Sequence, residues 1–182
     1  MRFSQLAIIT GLAVSLSALS GCNSISPQQS HAQNASIPAK SSLNLWQVVQ
    51  NDPDFSLLVE AVQAAGLSNV LAKPNANFTI FAPTNAAFNA GLQQAGFSKA
   101  ALFANKPLLT KILGYHVIYG DQPLYSQDLK VGNVVMLSND TLMVAPKGQL
   151  IDEMGRSTNI IKTDIAATNG VIHVIDHVLM PQ

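Results

Sequence analysis

The chain has 182 residues, of which 48% are hydrophobic and 11% charged, with ten Lys+Arg balancing ten Asp+Glu. That leaves room for one export segment and one domain of ordinary size, and the apolar content is too high for a disordered chain. No window carries a basic run or a Lys/Arg stripe, so the counterion-release force that drives nucleic-acid binding is missing and no nucleic-acid partner is expected.

Residues 1–21 read as a signal peptide. Met1-Arg2 gives a short cationic start, and the apolar and small-residue run over residues 6–19 falls short of the roughly twenty residues a membrane-crossing helix needs. The run closes on Leu19-Ser20-Gly21-Cys22. This resembles the bacterial lipobox, which implies that a signal peptidase recognises Leu19, Ser20 and Gly21 and that Cys22 is acylated and becomes the new N-terminus. Cys22 is the only cysteine, so no intramolecular disulfide can form. Two or three acyl chains give stable anchoring where a single chain is marginal. Asn23 follows in place of Asp, which by resemblance to sorted lipoproteins points to an outer membrane where the cell has one. Residues 22–42 form the lipidated end and a tether. From Asn23 to Ser42, thirteen of twenty residues are Ser, Gln, Asn or Pro, so little apolar area offsets ordering, and a coil reach of about 25 Å is expected.

Residues 43–182 form the folded domain, mainly helical up to residue 113. Asp52-Pro53 starts a helix with Phe55, Leu58, Val59 and Val62 on one face, and Gly66 is placed to end it. Residues 77–83 alternate, with Phe78, Ile80 and Ala82 on one side, and predict a strand. Thr84 caps a helix carrying Phe88 and Leu92, Ser98 caps another, and Pro107 opens a third whose Leu108, Leu109, Ile112 and Leu113 make an apolar stripe before Gly114. Beyond residue 115, short apolar or alternating runs at 134–137, 141–144, 149–151, 159–165 and 171–179 predict strands. Asn169-Gly170 is the strongest hairpin signal, read as a type I′ turn with positive φ at both central residues. Helices first and strands later argue for the α+β class, an antiparallel sheet backed by helices.

Three stretches, in order, resemble the fasciclin domain over residues 42–181. The first is Thr79-Ile80-Phe81-Ala82-Pro83-Thr84-Asn85-Ala86-Ala87-Phe88. The second is Leu113-Gly114-Tyr115-His116-Val117-Ile118. The third is Asp164-Ile165-Ala166-Ala167-Thr168-Asn169-Gly170-Val171-Ile172-His173-Val174-Ile175-Asp176, followed by Val178-Leu179 and Pro181. The resemblance implies a fasciclin-like wedge-shaped β-sandwich with helices packed over one edge, and a role in adhesion. Phe81, Pro83, Thr84, Phe88, Asn169, Gly170, His173 and Asp176 are then mainly structural signature residues. Asn85 departs from the acidic residue more usual there, a change that helix-start bonding to backbone tolerates.

Candidate chemistry is sparse. His116 reads mainly as a core histidine with ring nitrogens satisfied by backbone, and Tyr115, His116, Tyr119 and Tyr125 together are the candidate interaction residues. On an extended strand His173 and His177 stand about 13 Å apart, too far for one metal ion, and Asp176 faces the other way, so no metal site is expected. There is no Gly-x-Ser-x-Gly elbow and no phosphate-cradling glycine loop, so neither catalysis nor a cofactor is expected. The sequence thus predicts a non-enzymatic, membrane-anchored module that binds a protein or polysaccharide. The alternative is a carrier holding a small apolar ligand between helices and sheet.

Overall fold

In the computed structural model the described residues are 41–182; Cys22, the residues before it and most of the expected tether lie outside them. Helix α1 (Leu45–Asn51) opens with a capping box, Asn44 accepting from the Gln47 N–H while the Gln47 side chain bonds back to Asn44. The predicted start at Asp52-Pro53 forms a 3₁₀ turn over Pro53–Phe55, and α2 (Ser56–Ala65) follows it and ends at Gly66 in a left-handed cap. After α3 (Ser68–Leu71) and strand β1 (Phe78–Pro83), Thr84 caps α4 (Asn85–Gln94) and Ser98 caps α5 (Lys99–Ala104), each through its hydroxyl. Such caps contribute about 1 kcal/mol apiece. Asn105 caps α6 (Lys106–Gly114), with Pro107 in its first turn.

Six further strands follow, β2 (Val117–Tyr119), β3 (Gly132–Val135), β4 (Thr141–Val144), β5 (Gln149–Ile151), β6 (Ser157–Ala167) and β7 (Gly170–Ile175). They form one seven-stranded sheet in the order β2-β1-β7-β6-β5-β4-β3. The α+β class holds, but the sheet is mixed: β1 pairs with β7 in parallel, Phe78 opposite Gly170, while the other pairings are antiparallel. Local pattern could not disclose this, because the two strands lie far apart in the chain.

The sheet's curvature creates two cores. Phe78, Ile80 and Ala82 of β1 and Ile172 and Val174 of β7 pack under the helices against Leu58, Val62, Leu109 and Leu113. The opposite side chains, Phe81 and Ile175, join Leu142, Val144 and Leu150 from β4 and β5 in a second core inside the curl. Both faces of β1 and β7 are therefore buried along their whole length, so the polar-out half of the alternation predicted for residues 77–83 is absent.

Candidate interaction surface

The second family stretch lies inside the protein. Tyr115 has no exposed surface, and its hydroxyl donates to the Thr141 carbonyl at 2.7 Å and accepts from the Glu153 N–H at 3.2 Å. Burial pushes its pKa up to about 12. The expectation of a contact role for Tyr115 is thus corrected: the residue that closes α6 is turned into the second core, where the ring packs and the hydroxyl ties β4 to the β5–β6 turn. His116 is buried too. Its Nδ1–H donates to the Ile112 carbonyl at 2.8 Å, so its Nε2 is free to accept from the Leu179 N–H at 3.1 Å. Burial pushes its pKa down to about 4, against smaller upward pulls from the Ile112 bond and Asp152. His116 is a latch for the C-terminal segment, with no face to offer a partner. Tyr125 is half-buried in a turn closed by Asp128. Only Tyr119, on β2, stands out in solvent, 61% exposed.

The first and third stretches are equally structural. Phe81, Pro83 and Phe88 are buried and Thr84 caps α4. Asn85 bonds away from its own helix, accepting from the Leu57 N–H at 2.9 Å and donating to the Pro53 carbonyl at 2.9 Å. An amide can do both, whereas a carboxylate could only accept. Asn169 is a buried hub, its Oδ1 taking the Leu45 N–H at 2.8 Å and its Nδ2 donating to the carbonyls of Leu71 and Lys73 at 2.8 and 2.9 Å. The hairpin at this point exists, but its turn residues are Thr168 and Asn169, and neither they nor Gly170 has positive φ. Gly170 is required for another reason: a Cβ there would lie 2.2 Å from the Phe78 carbonyl oxygen and 2.7 Å from Leu45 Cδ1.

His173 is fully buried, its Nε2–H donating to the Leu124 carbonyl at 2.9 Å and its Nδ1 accepting from the Asp164 N–H at 3.4 Å. Burial lowers its pKa, outweighing the upward pulls of the Leu124 bond and Asp164. Asp164 stands at φ 62° where the β6–β7 register shifts, a left-handed residue inside a strand that the sequence did not reveal. Its carboxylate takes the N–H and hydroxyl of Ser126; burial opposes its charge, but these bonds prevail and hold the pKa below the usual range. Asp176 accepts from both the backbone and side chain of Asn159 and from His177, clamping the start of β6. His177 lies beyond the strand, which ends at Ile175 rather than at Leu179.

Among the described residues no group of three or more His, Cys, Asp or Glu is placed to hold a metal ion. The two apolar spaces between helices and sheet measure about 20 and 30 Å³, room for a water molecule or two. As the side chains are packed, these spaces do not admit a small apolar ligand, so they lend the carrier alternative no support.

Besides the exposed Phe97, Met154 and Ile161, apolar side chains group on the outside of the described residues at two surfaces. One is a shallow depression of about 450 Å³ lined by Asn69, Val70, Lys73, Phe78, Tyr119 and Leu137. Tyr119 lies over Phe78 with ring centroids 5.4 Å apart, and Val70 and Leu137 are 37% and 42% exposed. Sequence reasoning found Tyr119 but not Val70, since a four-residue helix shows no periodicity to betray an outward apolar side chain. The other surface is on the outer side of β3 and β4, where Val131, Val135 and Met143 are exposed.

Fold and surface together define an α+β module whose polar signature groups are spent on its own backbone. The profile of the family described as the fasciclin domain matches residues 53–181, and the chain belongs to that family. It is similar to protein sll1483 of Synechocystis sp., 38% identical over 141 residues that cover 78% of this chain and 75% of that one. The transforming growth factor-beta-induced protein ig-h3 of Sus scrofa is 40% identical over 137 residues, 74% of this chain, and human periostin 32% identical over 154 residues, 79% of this chain. This chain spans only 19% and 16% of those two proteins. A solved FAS1 domain pair from the insect cell adhesion molecule fasciclin I matches with a TM-score of 0.66 at 19% identity, covering 76% of this chain and 51% of that one. Domains of this family serve generally as adhesion and interaction modules of extracellular proteins. No helix among the described residues is long and apolar enough to cross a membrane.

Proposed function

We propose that this protein is a non-enzymatic interaction module of the cell envelope, held on a membrane by acyl chains on Cys22 and binding a protein or polysaccharide partner. The observation that carries the reading is how the family's signature groups are used. His116, His173, Asn169 and Asp176 all bond to groups of the fold itself, while apolar side chains on β3 and β4 stay exposed. Catalysis needs polar groups with a free valence in a cleft; docking needs exposed apolar surface. In an envelope carrying an outer membrane, Asn23 after the cysteine favours that membrane.

Cells expressing the full chain are fractionated and tested for adhesion beside a Cys22→Ser strain. The mutant is expected to leave the membrane fraction, or to persist as unprocessed precursor, and to lose adhesion. A mutant that is processed and anchored like the parent would exclude the lipid anchor. In the anchored protein, Val135→Lys with Met143→Lys is expected to abolish capture of the partner with the melting temperature unchanged; undiminished capture would move the binding surface elsewhere.

A further inference from the structure

We infer that the Tyr119 depression is a lipid contact, by which the domain seats itself on the membrane that holds it. This rests on the Cys22 anchor proposed above. The first support is where the described chain begins. Leu43 accepts a bond from the Thr168 N–H at 2.9 Å, Leu45 donates to Asn169, and Asn169 donates to the Lys73 carbonyl, so a single side chain stitches the start of the domain to the rim of the depression. Tyr119 pairs with Phe78, and Phe78 with Gly170, at this same end of the sheet. Tyr119 therefore stands about two strand spacings, about 10 Å, from the β6–β7 turn against which the incoming chain is held.

The second support is distance along the chain. Residues 23–40 separate Cys22 from the described chain, and the coil reach expected of that composition is about 25 Å. Anchoring thus keeps the depression at high effective concentration beside the headgroups, where a contact too weak to recruit a free protein suffices.

The third is the chemistry of the lining. Tyr119 presents an apolar ring with a hydroxyl tip, Val70, Phe78 and Leu137 supply hydrocarbon, and Lys73 and Asn69 supply an ammonium and an amide. Aromatic residues with one wet end, apolar neighbours and a lysine whose stem lies on apolar surface are what the boundary between hydrocarbon and headgroups accommodates. No carboxylate lines the depression; Asp121, two residues beyond Tyr119, lies outside the lining. The β3–β4 surface adjoins the depression only at one end, where the Leu137 N–H donates to the Val117 carbonyl at 2.7 Å; Val131, six residues back along the extended chain and exposed, stands about 20 Å from Leu137. Seating on Tyr119 therefore leaves the Val131 end of β3 free for a partner.

The test uses the full lipidated chain in phosphatidylethanolamine–phosphatidylglycerol vesicles containing a nitroxide lipid. Asn69→Cys and Val131→Cys variants carry a thiol-linked fluorophore, which acylated Cys22 does not accept, and unchanged melting temperatures certify the fold. Quenching is expected to be several-fold greater at position 69 than at 131. Adding Tyr119→Ser and Lys73→Glu should bring position 69 down to the level of 131 while the protein stays with the vesicles. Equal quenching at the two positions, or quenching at 69 indifferent to those substitutions, would overturn the contact and leave the anchor standing. Shielding of position 69 from aqueous quenchers without quenching by lipid would assign the depression to a protein or a second copy, and would also overturn it. A chain that carries no acyl mass and does not float with vesicles would overturn anchor and contact together.

Discussion

Gly170→Ala offers a direct test of how β1 and β7 meet. The added Cβ would lie 2.2 Å from the Phe78 carbonyl oxygen, whereas ordinary contact begins at 3.4 Å. The second close atom, Leu45 Cδ1 at 2.7 Å, ends a side chain and can turn aside, but the carbonyl belongs to the parallel partner strand and can retreat only with it. The strands must part by about 1 Å, in a place buried on both faces, and the penalty for overpacking falls at the upper end of its usual range, about 3 kcal/mol. For a domain of this size that lowers the melting temperature by about 10 °C. The reference is Gly66→Ala, where φ is 77° and no atom lies within 4 Å of the added Cβ, so only backbone strain of about 1 kcal/mol is expected. Calorimetry of both variants should rank Gly170→Ala well below Gly66→Ala. Equal shifts, or a larger one at Gly66, would refute the close-approach explanation.

Acid sensitivity follows from the buried histidines. The folded pKa of His116 is about 4 against an ordinary 6.5, so below pH 6.5 the unfolded chain takes up a proton the native one refuses. Stability is complete above pH 6.5 and declines by about 3 kcal/mol as pH falls from there to 4. The lowered pKa of His173 acts in the same sense, and a His116→Asn variant should show a flatter melting profile across that window. Asn169→Asp replaces an amide that donates to two carbonyls with a group that repels them, and should cost about 3 kcal/mol in urea unfolding. Asp152→Asn weakens a buried carboxylate that receives the Met154, Arg156 and Met180 N–H groups and the Arg156 guanidinium, and a loss of about 2 to 4 kcal/mol is expected by the same measurement. Tyr115→Phe leaves the Thr141 carbonyl and Glu153 N–H unmatched, and should lower stability by about 1 to 2 kcal/mol.

Sequence pattern disclosed what depends on neighbours in the chain. Thr84 and Ser98 begin helices because their hydroxyls reach an N–H three residues on, and β4 and β5 fall on the runs at 141–144 and 149–151 because turn residues bracket them. It missed what depends on residues brought together by folding. The ends of β6, the left-handed Asp164 within it and the parallel pairing of β1 with β7 have no local signature. The same division runs through the surface. Tyr115 and Tyr119 look alike in sequence, yet one ends a helix facing a core and the other lies on an edge strand. The core reading of His116 rested on its apolar neighbours, and the structure gives both its ring nitrogens backbone partners, whereas His177, read as a strand position, falls beyond the end of β7.

The position of β7 between β1 and β6 also governs the order of assembly. Among the described residues the last strand in chain order is the one that joins the helical half to the β-rich half. A polypeptide stopped short of Gly170 leaves two neighbouring strands with bare edges and each hydrophobic core missing a wall. Completion therefore waits for β7 and requires closure of a loop of roughly ninety residues between β1 and β7, a route that is slow by its topology. Until then neither core is closed, and a chain cut short before β7 exposes apolar surface in both halves instead of leaving one half intact.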